Sequence, residues 1–284
     1  IFTAQYFGQK NQEGVRQTVR FKIWMVSLIT LFTVILLLAV GDPLILLYLQ
    51  GEGTAESVAS TLRYGREYLH IMLPGLIPFM LVQVYSSTLR ECGKTILPMK
   101  AGVIAVLVNL ILNYILIYGK FGAPALGVRG AAIATVISRF VECAIVLIHT
   151  HRRAQEHPFV LGLYATLKVP ASLMIKIITK GMPLLLNETL WAAGTAMLTQ
   201  CYSVRGLNVI AALNISNTIN NVFNIVFIAL GESVAIIVGQ LLGAGKMDEA
   251  RDTDNKMIAF SVFSCVLIAI VMLLLAQFFP LLYN

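Results

Sequence analysis

The sequence predicts an all-α integral membrane protein, a multi-pass helical bundle. Of its 284 residues, 58% are hydrophobic and only 12% are charged, whereas charged residues make up roughly 25% of an ordinary soluble domain. Seven apolar stretches are each long enough to cross a hydrocarbon core, which takes about 20 residues in a helix. Because backbone groups in lipid must be hydrogen-bonded internally, each stretch is predicted to be a helix.

The distribution of lysine and arginine orients these helices. The predicted spans cover residues 21–41, 69–90, 98–118, 130–149, 181–202, 208–240 and 258–279. Fifteen of the 21 basic residues lie in the connections near 8–22, 90–100, 150–180 and 243–256, five lie in the alternate connections, and Arg139 lies within a span. The positive-inside rule places the richer set in the cytoplasm. The net charge of +7 is thereby explained by topology, so the lipid bilayer is an expected partner and nucleic acid is not.

An internal repeat divides the chain. Gln5 and Gly8 recur as Gln240 and Gly243, an offset of 235 residues, and each copy precedes an apolar span that ends at a proline, Pro43 or Pro280. Six predicted spans separate the copies, which predicts two pseudo-symmetric six-helix lobes in one orientation, as in some transporters. The predicted organisation is an N-lobe portion over 1–150, a cytoplasmic amphipathic linker over 151–180, and a C-lobe portion over 181–284. With about seven of twelve spans, the chain is expected to be a piece of a longer protein or a truncated product.

Polar residues within the spans mark candidate sites, since polar and charged groups in a membrane are costly. In the sixth span, polar residues recur at helical spacing and form a stripe along one face. This stripe either lines a cavity or forms hydrogen bonds to neighbouring helices. The stripe comprises Asn214, Asn217, Asn221, Asn224 and Glu232. Gln83 and Trp191 are assigned to the same substrate cavity.

Three other spans also carry polar residues. Asn109 and Asn113 lie one turn apart in the third span, and the fourth carries Thr135 together with Arg139 and Glu142, which are expected to pair. In the fifth span Asn187 and Glu188 follow Pro183, which we place near the cytoplasmic end. A carboxyl group such as Glu188 is a natural proton or cation site when burial favours its neutral form; the alternative is a structural hydrogen bond to a neighbouring helix.

The remaining motifs exclude several classes of protein. The sequence has no HExxH, GxSxG or phosphate-loop motif, so an enzyme is not predicted. Its four cysteines are scattered, without a CxxC pair, and its histidines lack companions for a metal site. No cofactor is expected apart from a coupling Na⁺ or H⁺.

Several motifs resemble those of the multidrug and toxic compound extrusion (MATE) transporters. They are Ala4–Gly8, Leu89–Thr95, Asn109–Ile117, Gly122–Arg139 and Val238–Gly245. The resemblance covers essentially the whole chain, from the end of helix 2 through helix 9 of a twelve-helix fold. It implies an H⁺- or Na⁺-coupled antiporter that exports cationic amphipathic drugs or toxins by alternating access, as a monomer in the plasma membrane. The alternatives are a lipid-linked oligosaccharide flippase of the same superfamily and a truncated, non-transporting membrane protein.

The resemblance also assigns roles to single residues. Asn109 and Asn113 match the polar pair of the family's fifth helix, where many members have aspartate at the second position, and Thr135 matches a hydroxyl near that cation site. Many members carry an essential acid on the seventh helix at the position that Trp191 occupies here. Glu188 lies one helical turn earlier on the same face and is therefore the predicted coupling acid.

Overall fold

The computed structural model describes residues 1–47, 55–166, 168–203 and 207–275, apart from some side chains within these ranges. The described residues are almost entirely helical and include no strand. Their helices are α1 (Phe2–Gly8), α2 (Gln12–Leu47), α3 (Ala55–Met72), α4 (Leu76–Glu91), α5 (Ile96–Tyr118), α6 (Val128–Arg152), α7 (Ala171–Ser203), α8 (Leu207–Gly243) and α9 (Met247–Leu275). The predicted all-α class is confirmed.

Six stretches of the described helices are long and apolar enough to cross a membrane. They are Gln12–Leu46, Val58–Glu91, Ile96–Tyr118, Val128–Arg152, Phe223–Gly243 and Met247–Leu274. The predicted count of seven is one higher, because α7 has the length, at 33 residues, but is too polar to qualify by composition. The most apolar windows of α2 and α9 contain no buried residue, as expected of helices that face lipid.

Two predicted spans begin earlier than the apolar pattern suggested. The span predicted over 69–90 starts within the last turn of α3. A single 3₁₀ turn, Leu73–Gly75, separates α3 from α4. Pro74 lies in that turn and supplies no backbone N–H, which favours the break. Likewise α7 begins at Ala171, so Pro183 lies well inside the helix. Pro183 therefore lies beyond the first turn of the helix, and its place near the cytoplasmic end of the span stays a prediction.

The chain divides into two compact units. One comprises Ile1–Asn11 and Ile175–Asn284, and the other Gln12–Met174. The short helix α1 is thus grouped with the part of the chain that contains α7, α8 and α9. The predicted lobe boundaries at 150 and 180 stay predictions.

In the first unit, α1 packs against the end of α8. The approach is close at Gly243, where an added β-carbon would lie 2.1 Å from the carbonyl oxygen of Gln5. No side chain larger than hydrogen fits at that distance. The glycine repeated in the sequence therefore serves a backbone-to-backbone contact.

In the second unit, the predicted cytoplasmic end has a compact core. Tyr85, Leu89, Phe159 and Leu163 are almost completely buried there. Arg20, itself only 6% exposed, donates hydrogen bonds to the carbonyl oxygens of Leu163 at 3.0 Å and Gly162 at 2.8 Å. The segment that follows α6 is thereby fixed to the helices of this unit.

At the other end of this unit, away from the predicted cytoplasmic side, ion pairs join the helices. Arg129 of α6 binds Glu67 of α3 through two hydrogen bonds of 2.7 and 2.5 Å. Arg66 of α3 binds Asp42 of α2. Near this pair, α2 has a non-helical residue, Val40 (φ −124°, ψ 15°). Pro43 lies in the next turn and has no backbone N–H, so it cannot donate the usual helical hydrogen bond.

Candidate functional site

A tight hairpin of α5 and α6 positions the first group of predicted site residues. Gly119 ends α5 in the left-handed conformation (φ 65°), and the Leu126 N–H returns to the Leu116 carbonyl at 2.9 Å. An added β-carbon at Gly130 would lie 2.6 Å from the same Leu116 carbonyl oxygen. Gly130 thus allows the two helices to approach closely enough for their polar side chains to meet.

Three predicted ion-coupling residues form one hydrogen-bonded chain between these helices. The Asn113 amide donates to the Asn109 side-chain oxygen at 2.9 Å, and the Asn109 amide donates to the Thr135 hydroxyl at 3.3 Å. Thr135 in turn donates to the Ala131 carbonyl at 2.9 Å. Among the described residues, the buried Asn113 side-chain oxygen has no donor. An unsatisfied buried oxygen is costly, and a cation would satisfy it.

Two adjoining cavities extend from this chain along α4, α5 and α6, and we call them together the trough. The first, about 310 Å³, is lined by Gly102, Ala105, Val106, Asn109, Thr135, Ser138, Arg139 and Glu142. The second, about 430 Å³, is lined mainly by α4 and the start of α5, including Phe79, Gln83, Ser86 and Arg90. Arg139 and Glu142 line both cavities and so stand where they meet.

The predicted pairing of Arg139 with Glu142 is confirmed. The guanidinium of Arg139 donates to the Glu142 carboxylate at 3.0 Å. The guanidinium carbon also lies 5.3 Å from the centre of the Phe79 ring, within the range of a cation–π contact. Arg139 is therefore held from both sides, by a carboxylate and by an aromatic face.

The candidate residues of α7 lie in the other unit and are exposed there. Asn187 and Glu188 are exposed, and Trp191 is 70% exposed. Among the described residues, Glu188 has neither a hydrogen bond nor an ion pair, so the structure shows no partner for a purely structural role. Pro183, one turn before Asn187, cannot donate to the Thr179 carbonyl, which leaves that carbonyl without its helical donor.

The polar stripe of the sixth predicted span lies on one continuous helix, α8. Asn217, Asn221, Asn224 and Glu232 are all exposed in this unit. The side chain of Asn214 falls outside the part of the chain that the structure describes. The choice between a cavity lining and a set of interhelical bonds therefore stays open.

The described residues contain no group of three or more His, Cys, Asp or Glu side chains placed to hold a metal ion. His149 and His157 lie near each other, with ring centres 6.4 Å apart. The lining of the first cavity offers a cation the side-chain oxygens of Asn109, Thr135, Ser138 and Glu142.

Known proteins match the chain along most of its length. The family model described as MatE matches residues 1–115 and 183–284. The chain belongs to the MatE family. A probable multidrug resistance protein NorM from Thermotoga maritima is 31% identical over 272 residues, which is 93% of this chain and 55% of the relative. The chain spans about half the length of the curated relatives it matches.

Solved structures of transporters share the fold. A MOP superfamily transporter from Pyrococcus furiosus superposes with a TM-score of 0.80 at 18% identity, over 99% of this chain and 60% of that one. A crystal structure of MATE in the bent conformation gives a TM-score of 0.77 at 17% identity, over the same shares. The family model and the relatives confirm the predicted family and the prediction that the chain is not an enzyme, and the solved structures share the predicted fold.

Three features of the MatE chain's site region were not predicted. They are the continuity of the two cavities, the contact of Phe79 with Arg139, and the attachment of residues 162 and 163 to Arg20. Each joins residues that lie far apart in the sequence. The apolar and polar periodicity of single helices carries no signal for such pairings.

Proposed function

We propose that the whole protein is a cation-coupled antiporter that exports small amphipathic cations across the plasma membrane. Membership of the MatE family and the multidrug resistance names of the relatives support the export of small molecules. The observation that carries the cation coupling is the chain of Asn113, Asn109 and Thr135. It places an unsatisfied buried oxygen beside a cavity inside predicted membrane spans.

The proposed N-lobe ion site uses neutral oxygen ligands. Amide and hydroxyl oxygens suit hard cations such as Na⁺, and neither asparagine can release a proton. We assign Na⁺ to Asn109, Asn113 and Thr135, and a proton or a cation to Glu188 with Asn187 beside it. The exposed polar residues of α8 and Trp191 in one unit, and Gln83 in the other, are each assigned to substrate binding. A monomer suffices for this scheme, since both lobes would be present in one chain.

Dye efflux by the product of the full-length gene tests the proposal. Cells that express it should extrude a cationic dye when a Na⁺ or pH gradient is imposed, and collapse of that gradient should stop efflux. Absence of efflux under both gradients, with the protein in the membrane, would contradict the proposal. Transport of an anionic lipid-linked saccharide instead would favour the flippase.

A matched pair of threonines tests the N-lobe ion site. Thr135 and Thr195 both donate to the carbonyl four residues earlier at 2.9 Å, but only Thr135 also accepts a bond from Asn109. Thr135→Val should weaken activation by Na⁺ about tenfold, the effect of losing roughly 1.4 kcal/mol of interaction. Thr195→Val should leave Na⁺ activation unchanged. Equal effects of the two substitutions would remove Thr135 from the site.

A further inference from the structure

A groove on α6, separate from the trough, combines an apolar wall with a basic end, and we call it the α6 groove. Its volume is about 630 Å³, within the range of ligand sites. The described residues of its lining recur three and four residues apart, so they form one continuous face of the helix. The apolar wall consists of Val141, Ala144, Ile145 and Ile148, and the basic end of His149, Arg152 and Arg153.

The apolar wall lies where lipid is expected. Its four residues belong to the candidate membrane span Val128–Arg152, and Ile148 is 53% exposed. Between Val141 and His149 the helix rises about 12 Å, close to half of a hydrocarbon core that is about 30 Å thick. The groove therefore has the length of one leaflet, and its basic end lies at the predicted cytoplasmic surface.

The basic end carries a positive charge that the described residues do not neutralise. Arg152 is exposed and has neither a hydrogen bond nor an ion pair among them. Arg153 pairs with Glu156 at 3.4 Å, but more than half of each side chain is exposed, and such surface pairs are weak. The guanidinium of Arg152 is therefore available to an anion.

Basic residues from a second segment converge on the same end. The buried His157 lies within electrostatic range of His149 and Arg153, and also of Lys94, which comes from the turn between α4 and α5. Glu156 is the one acidic group among these neighbours. The positive-inside rule and the dipole of α6 explain basic residues at this end. Neither explains why they close an exposed apolar groove.

We propose that the α6 groove binds one anionic phospholipid of the cytoplasmic leaflet. The lipid phosphate accepts hydrogen bonds from Arg152, whose planar guanidinium suits phosphate oxygens, with His149 and Arg153 beside it. An acyl chain lies along the wall from Val141 to Ile148. A soluble acidic peptide fits less well, because that wall lies inside a predicted membrane span.

Photo-crosslinking of the full-length protein in vesicles tests the inference. The vesicles consist of phosphatidylcholine with a small fraction of phosphatidylglycerol that carries a diazirine in one acyl chain. Illumination should label residues 141–148, which mass spectrometry of peptides detects. Phosphatidylcholine with the same diazirine should label them about fivefold less, the effect of one arginine on an anionic lipid. Inorganic phosphate has no acyl chain, so it should not reduce the labelling.

Matched variants separate the site from the general charge of the cytoplasmic surface. Arg152→Gln should reduce the phosphatidylglycerol label about fivefold, whereas Arg152→Lys keeps the charge and should retain most of it. Arg251 of α9 is likewise exposed and without a partner among the described residues, but it lies outside the groove, so Arg251→Gln should label as the wild type does.

A variant of the apolar wall gives a second measurement that leaves the charge unchanged. Ile145→Trp fills the middle of the groove and should reduce labelling by both lipids. Size-exclusion chromatography of each variant shows whether it is folded before the labels are compared.

Four results would overturn the inference. They are equal labelling by the two lipids, equal labelling of Arg152→Gln and Arg251→Gln, displacement of the lipid by inorganic phosphate, and no labelling of α6 in the wild type. The last would mean that another part of the protein covers the groove. The inference does not depend on the proposed export function, since the labelling is measured without transport.

Discussion

Gly8 of α1 packs directly on the backbone of Gln240 in α8. An added β-carbon at Gly8 would lie 2.0 Å from the Gln240 carbonyl oxygen, and one at Gly243 would lie 2.1 Å from the Gln5 carbonyl oxygen. Each glycine of the sequence repeat therefore rests on the glutamine of the other copy. Such reciprocity is what a two-fold rotation between the copies produces.

Alanine at either glycine should destabilise this contact. At about 2 Å from a carbonyl oxygen, a methyl group forces the helices apart, at a cost of about 1–3 kcal/mol for overpacking. Gly8→Ala and Gly243→Ala should each lower the melting temperature of the purified protein. Gly231, also in α8, has open space around it, so Gly231→Ala should leave the melting temperature unchanged or raise it. Equal melting temperatures for all three variants would contradict the close packing.

Arg20 should be essential for holding the segment after α6. Arg20→Ala leaves the Gly162 and Leu163 carbonyls without their charged donor, and hydrogen bonds to charged groups contribute about 1.5–3 kcal/mol each. Proteinase K should then cut this segment faster in the variant than in the wild type. Arg153→Ala removes a surface pair whose side chains are more than half exposed, and it should have little effect. Equal cleavage of the wild type and Arg20→Ala would contradict the attachment.

Acid should loosen the same end of the second unit. Burial lowers the pKa of His157 below its ordinary value of 6.5, with the positive charge of Lys94 adding to the effect. The unfolded segment therefore binds a proton more readily than the folded one. Stability should fall as pH drops below about 6.5, toward the lowered pKa. Amide exchange is itself slower at lower pH, so the measured quantity is the protection factor, the exchange rate relative to the unfolded chain at the same pH. The protection factors of residues 157–163 should fall between pH 7.5 and 5.5, and His157→Gln should suppress that change. A loss of protection that persists in the variant would assign the effect to another group.

Most of the fold could be predicted from apolar runs, because a membrane helix must be both long and continuous. The ends of the helices could not be predicted in this way, because α7 begins ten residues before its apolar part and α3 begins in a polar stretch. Backbone hydrogen bonding continues a helix through residues of any polarity. Hydropathy therefore shows where a helix meets lipid and not where it begins.

The candidate site could be predicted in part. The pairing of Arg139 with Glu142 follows from their spacing of three on one helix, whereas the Asn109–Thr135 bond joins two helices. Only the resemblance to a known family suggested that these two residues share a site. The hydrogen bonds of Arg20 span 142 and 143 residues of sequence, and no local pattern encodes such a distance.

Glu188 provides a separate test of ion coupling in the other unit. It is exposed there and has no bonding partner among the described residues, and it follows Pro183, which frees a backbone carbonyl of the helix. Glu188→Gln keeps the shape and hydrogen-bonding capacity of the side chain but removes its titration. In the full-length protein it should abolish gradient-driven dye efflux while leaving expression and dye binding largely intact.

The Glu188 test needs a carboxylate whose loss should not matter. Glu249 pairs with Lys246 near the start of α9 at 2.9 Å, and more than half of its side chain is exposed, so Glu249→Gln should transport normally. If Glu188→Gln also transports with an unchanged pH and Na⁺ profile, Glu188 has no coupling role.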